Sequence, residues 1–150
     1  MWPGAAYFET RVLSADPLEL ICLLYQHAID AVRDARRYMA SGEIAARAHA
    51  ISKTIAILGE LNGSLDHSAG GGISSNLEQL YNYMTIRLTE ANLHKKEAPL
   101  AEVERLLATL AEAWKETRAR QSVSTQAAVT LPSTTWQESG DACVGHGWSA

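Results

Sequence analysis

The chain has two cysteines, one phenylalanine and four prolines in 150 residues. Cys22 sits in an apolar run and Cys143 among polar residues far away, so no disulfide framework is expected and a reducing compartment fits better. At this length a chain can bury a core without disulfide or metal staples. No stretch reaches the ~18 consecutive apolar residues of a membrane span. The opening MWPGAAYFETR also lacks the basic-then-apolar order of a secretory leader. A soluble, cytoplasmic protein without membrane insertion is expected. Basic charge is short as well: 13 Lys and Arg against 17 Asp and Glu give a net charge of -4 with the signs interspersed. Nucleic acid is therefore not an expected partner, since it would call for a basic stripe. Arg33, Arg36 and Arg37 read as a solvated helix face paired with Asp30 and Asp34.

Catalytic and metal motifs are missing too. There is no H-E-x-x-H, no paired C-x-x-C and no P-loop lysine, and Glu90 and His94 stand one residue too far apart for the Glu-x-x-His of di-iron bundles. His27, His49, His67, His94 and His146 are scattered, and Tyr81 and Tyr83 read as core and rim aromatics. No catalytic residue, cofactor or metal site is expected. No long run alternates apolar and polar residues, which argues against strands in the patterned region.

What is present is helical periodicity. Asp16 followed by Pro17 is a helix start: the carboxylate can accept from first-turn N–H groups, and proline gives up an N–H that would be orphaned anyway. The first helix is predicted to run to about Ala40, with Leu20, Ile21, Leu24, Ala28, Ala31, Ala35 and Tyr38 on one face and Gly42 as its stop. A second is predicted from about Glu43 to Leu65, with Ile44, Ala48, Ile51, Ile55, Leu58 and Leu65 inward. Gly70, Gly71 and Gly72 should separate it from a third, because glycine loses the most backbone entropy in a helix. Ser75 with Glu78 forms a capping box there, with Ser74 a competing start. In this third helix Ile73, Leu77, Leu80, Tyr81, Met84, Leu88 and Ala91 share a face to about Lys96. A fourth starts at Pro99, carries Leu100, Val103, Leu107, Leu110 and Trp114, and is predicted to end near Arg120.

Four helices with short connections predict an all-α, antiparallel up-down-up-down four-helix bundle over residues 16–120. Residues 1–15 form an apolar N-terminal arm, expected to dock on the bundle for part of its length. Residues 121–150 lose the periodicity, are rich in Ser, Thr and Gly, and read as a disordered tail.

Three helices carry more apolar surface than one seam needs. Second stripes run through Leu18, Cys22, Tyr25 and Ile29 on the first helix and through Ala46, Ala50, Ile57 and Leu61 on the second. On the third, Ile86 and Leu93 lie opposite the main stripe, with Tyr83 beside them. Packing against the arm or a neighbouring helix accounts for the first as well as function does. For the second and third, an exposed apolar strip would make a groove for a partner helix.

The first half carries Tyr7, Val12, Ser14-Ala15-Asp16-Pro17, Glu19-Leu20-Ile21, Leu24-Tyr25 and Ala28-Ile29. The second half carries Gly71-Gly72-Ile73, Asn76-Leu77, Leu80-Tyr81-Asn82-Tyr83-Met84, Arg87-Leu88, Glu90-Ala91-Asn92, Glu102-Val103 and Ala113-Trp114-Lys115. In the order and spacing of these segments the chain resembles, across residues 7–117, the flagellin-specific export chaperone family FliS. The resemblance implies a bundle that holds the C-terminal segment of flagellin before export, with the arm covering part of the binding surface, and no enzyme activity. Export-gate components or an anti-sigma factor stand as further candidate partners. Gln26 and His27 depart from the acidic residue and glycine usual in that family, and the tail with Trp136, Cys143 and Trp148 has no counterpart. Taken with the stripes, the expected partner-binding residues are Tyr7, Val12, Ala50, Ile57, Leu61, Ile86 and Leu93. The alternative is a structural homo-oligomer that uses the same stripes for self-association.

Overall fold

The computed structural model describes residues 16–147, with side chains through residue 124. Four helices follow one another: α1 (Pro17–Ser41), α2 (Ile44–Gly63), α3 (His67–His94) and α4 (Ala98–Gly147). Among the described residues there is no strand. One compact unit runs up to Trp114 and holds the bundle; the chain from Lys115 onward forms a second.

The ends of α1 are those the local chemistry requires. Asp16 accepts from the Glu19 N–H at 2.8 Å, proline occupies the first turn, and Gly42 closes the helix at φ 76°, donating its N–H to Met39. Nothing lies within 4 Å of where a Cβ on Gly42 would stand, so the backbone conformation, not crowding, selects glycine there. Contacts across the bundle then set directions. Arg33 and Arg36 of α1 pair with Glu104 of α4, and Arg36 also reaches Glu97 nearer the start of α4, so these two helices run antiparallel. Arg47 near the start of α2 holds Asn92 near the end of α3, which makes that pair antiparallel as well.

The arginine cluster thus departs from expectation. Only Arg37 pairs locally, with Asp34 at 3.1 Å. Arg33 and Arg36 reach across the bundle, because Glu104 of α4 and Glu97 just before it lie within reach of long side chains.

The core is built from Tyr25, Ala28, Ile29, Val32 and Ala35 of α1, Ala50, Ile51, Leu58 and Leu61 of α2, Tyr81, Met84, Leu88 and Ala91 of α3, and Leu100, Val103, Leu107 and Ala111 of α4. Each fully buried Leu or Val contributes about 1.5–3 kcal/mol relative to exposure. Small residues at Ala28, Ala31 and Ala35 let the neighbours of α1 approach closely. Because α1 packs on α2, meets α3 through Tyr25 and meets α4 through its arginines, its second stripe is absorbed: Tyr25 and Ile29 are buried.

Two boundaries correct the sequence reading. α3 begins at His67, capped by Asp66, whose carboxylate accepts from the N–H groups of Ser68 and Ala69, and not at Ser74 or Ser75. The glycines lie inside this helical span, which breaks at Gly71 (φ 51°, ψ -122°). One capped turn therefore precedes the break and the long helix follows it. α4 carries on as helical backbone through Gly147, past the end expected near Arg120. Residues 121–124 are exposed. The expected docking of the arm, residues 1–15, lies outside the described residues.

Candidate functional site

Among the described residues, two apolar features of the bundle surface stand out once the core is complete. The first is a groove of about 370 Å³ at the end where α1 starts, α2 ends and α3 starts. Leu18 and Ile21 line it from α1, Leu61 and Leu65 from the end of α2, Ala69, Ile73 and Leu77 from α3, and Trp114 from α4. Its size falls in the lower part of the range for ligand pockets. Ile73, predicted to be core, is 72% exposed at its mouth. The residue is in register with Leu77 and Tyr81, but so close to the start of the helix that no element among the described residues covers it.

Below the groove lies a polar group that the sequence did not announce. The hydroxyls of Tyr25 and Tyr81 meet at 2.5 Å, and Trp114 hydrogen-bonds Tyr25. An indole N–H can only donate, so the Tyr25 oxygen accepts it. Burial pushes the Tyr25 phenol well above its ordinary range, and the hydrogen bond to Tyr81 adds to this. Burial raises Tyr81 too. Both phenols are therefore neutral hydrogen-bonding groups here, unsuited to acid–base work at neutral pH.

The second feature is on the outer side of α3. Ile86 is 57% and Leu93 72% exposed, two turns apart on one side, with Tyr83 one turn before Ile86. Ile44, expected to point inward, is also exposed, at the start of α2, the same end of the bundle as Leu93. The strip is bordered by a polar network: the Tyr83 hydroxyl donates to Glu102, and Arg87 bridges Glu102 at 3.1 Å and Glu90 at 2.8 Å. The Tyr83 bond and Arg87 hold the Glu102 carboxyl below its ordinary value, and the same bond raises the Tyr83 phenol.

The seven expected contact residues divide. Ile86 and Leu93 are exposed on one side of α3, as anticipated. Ile57 is half-buried against the core. Ala50 and Leu61 are core residues, 5% and 1% exposed, and this corrects the reading of a free second stripe on α2. The physical reason is that α2 packs against both α1 and α3, so stripes on both of its sides are covered. Leu61 nonetheless floors the groove. Tyr7 and Val12 lie outside the described residues.

Sequence reasoning also missed Arg47, 5% exposed, whose guanidinium donates to the Asn92 side chain at 3.1 Å and to its carbonyl at 3.4 Å. A lone arginine between alanines on an apolar helix was the available signal. Gln26 is exposed and donates to Asp30 at 3.1 Å, while His27 is half-buried, with burial and nearby Lys53 lowering its pKa. Among the described residues no three His, Cys, Asp or Glu side chains gather as a metal site, and no helix is long and apolar enough to cross a membrane.

The family model described as Flagellar protein FliS matches residues 3–121. The chain is similar to the flagellar secretion chaperone FliS of Salmonella typhimurium strain LT2, 42% identical over 109 residues that cover 72% of this chain and 81% of that protein. It is 38% identical over 106 residues to the flagellar secretion chaperone FliSB of Pseudomonas aeruginosa, covering 71% and 84%. With the flagellar secretion chaperone FliS of Bacillus subtilis it shares 30% identity over 114 residues, covering 76% and 84%.

Proposed function

Since this chain belongs to the FliS family of flagellar proteins, we propose that it is a cytoplasmic secretion chaperone that holds the C-terminal segment of flagellin before export. The observation that carries this reading is apolar surface left over after the core is closed: Ile86 and Leu93 along α3, and the groove floored by Leu61. Ile57 joins these in the proposal as a half-buried contact, and the arm residues Tyr7 and Val12 belong to it as well. Ala50, 5% exposed, lies in the core.

The energetics favour a distributed surface. Ordering a disordered client costs about 2–5 kcal/mol of the gross interaction energy. Burial of one aliphatic side chain returns about 1.5–3 kcal/mol at most, so several separated contacts are required. A client whose own amphipathic helices would self-associate is kept apart when the same apolar faces are buried on the chaperone. Contacts made in pieces can also be released in pieces, which suits handover to export-gate components. No catalytic step is assigned.

The test is sedimentation with and without a flagellin C-terminal peptide. A monomer that becomes a 1:1 complex is expected; a tight dimer indifferent to the peptide would overturn the reading in favour of self-association. A pull-down from the source cells checks the client, with flagellin expected as the dominant partner.

A further inference from the structure

Two hydroxyls that meet use one hydrogen between them, so the Tyr25 and Tyr81 pair has a hydrogen to spare. Each phenol carries one O–H and can also accept, whereas the Trp114 indole only donates. Trp114 spends its hydrogen on the Tyr25 oxygen, and one phenolic hydrogen bridges the two tyrosines at 2.5 Å. With the indole N–H on its oxygen, Tyr25 is the better donor of the pair, because hydrogen bonds that run in one direction polarise each other favourably. The hydrogen left over is then that of Tyr81. Among the described residues no carbonyl or side chain accepts it, since the Tyr81 hydroxyl bonds Tyr25 alone.

Tyr81 is also where this polar group meets the groove: Tyr81 and Trp114 belong to the lining and Tyr25 does not. The other two hydroxyls of the lining are already committed. Ser64 Oγ donates to the Leu61 carbonyl at 2.8 Å, and Ser74 Oγ donates to the Asp66 carbonyl at 2.9 Å. Tyr81 is 2% exposed, so a segment seated over Leu61, Leu65 and Leu77 would meet its hydroxyl away from bulk water. There a hydrogen without an acceptor is costly and a matched one is selective. One wall of the groove carries the Asp66 carboxylate, which is held by the N–H groups of Ser68 and Ala69. A second carboxylate entering the groove would be repelled by it and would lose its own hydration.

We propose that Tyr81 is the specificity-determining donor of the groove: it hydrogen-bonds one uncharged acceptor, the carbonyl oxygen of a side-chain amide or of an unpaired main-chain peptide group, on the apolar segment that seats there. The inference rests on the reading of the protein as a chaperone for the flagellin segment, and adds what that segment must present at this point. A wholly apolar client face would strip water from the Tyr81 hydrogen and give it nothing in return. A helix end, where the last carbonyls have no partner within the helix, or an amide flanked by aliphatic residues, satisfies the hydroxyl and the groove together.

Titration calorimetry of the full chain with a flagellin C-terminal peptide separates this role from a structural one. Tyr81→Phe keeps the ring and removes the spare hydrogen, and should lower affinity about tenfold. Tyr25→Phe leaves the Tyr81 hydroxyl in place and lies outside the lining, so its affinity should stay within about twofold of the parent. Urea denaturation of the same chains should rank them the other way, with Tyr25→Phe the less stable, and a purely structural role cannot give opposite orders. The affinity ratio of parent to Tyr81→Phe should be the same at low and high salt, because the acceptor carries no charge. If the parent binds and Tyr81→Phe binds equally well, or if both variants lose affinity in step with stability, the inference is overturned while the chaperone reading stands. A ratio that shrinks with salt overturns the uncharged acceptor. A parent chain that does not bind the peptide overturns the chaperone reading, and this inference with it.

Discussion

Tyr25 of α1 and Tyr81 of α3 meet hydroxyl to hydroxyl at 2.5 Å in an otherwise apolar core, with Trp114 of α4 bonded to Tyr25 from the other side. Three helices are joined through two oxygens. A buried hydroxyl without a partner is costly, so the pair specifies which turns of α1 and α3 face each other.

Tyr25→Phe should destabilise the bundle by about 1–3 kcal/mol, because it strands both the Tyr81 hydroxyl and the Trp114 N–H. Tyr81→Phe should cost less, since Tyr25 keeps Trp114. The double variant should cost less than the sum of the two, and a urea-denaturation double-mutant cycle measures that coupling. Strict additivity would show that the hydroxyl contact does not contribute.

Both phenols titrate higher in the folded chain than the ordinary tyrosine value of 10.0. The folded state therefore holds these protons more tightly than the unfolded state. Their contribution is complete below that value and is lost as pH rises above it toward the folded pKa values. Thermal melts above pH ~10 should show falling stability, with a shallower fall in the Tyr25→Phe, Tyr81→Phe double variant.

On the acid side the sign reverses. Glu102 titrates below its ordinary value of 4.5 because the Tyr83 hydroxyl and Arg87 donate to it. Its contribution is present above that value and fades as pH falls through the lower folded pKa. Glu102→Gln should lower the melting temperature at neutral pH and flatten its decline in acid, with little difference between the two proteins once the carboxyl is protonated.

Surface and core apolar residues should separate cleanly. Ile86→Asp and Leu93→Asp change exposed side chains, so stability should move by no more than about 0.5 kcal/mol. Affinity for a flagellin C-terminal peptide, measured by calorimetry, should fall by about tenfold or more if a contact worth ~1.4 kcal/mol or more is lost. Leu61→Ala empties a core site and should cost about 2–5 kcal/mol of stability. Unchanged peptide affinity in both α3 variants would place the client elsewhere on the bundle.

Much of the molecule was legible without coordinates, because local effects carry it. Asp16, Pro17 and Gly42 mark the ends of α1 through hydrogen bonds and backbone angles that involve only neighbours in sequence. Tyr81, Met84, Leu88 and Ala91 announce the buried face of α3 through spacing alone. The number of helices, their antiparallel order and the outward placement of Ile86 and Leu93 follow from the same two kinds of signal.

What only the tertiary structure decided depends on how many neighbours each helix has. Periodicity cannot tell a spare apolar stripe from one covered by a third helix; Ala50 and Leu61 are buried because α2 lies between α1 and α3. Arg33 and Arg36 choose acids on α4 over the local ones because residues distant in sequence are brought within reach. The glycine triplet could be read as a break, but not as a turn folded back on Ser74, since that contact spans eight residues and exists only once the chain has reversed at Gly71. Local bonding chose the elements; packing chose which of their faces were left for a partner.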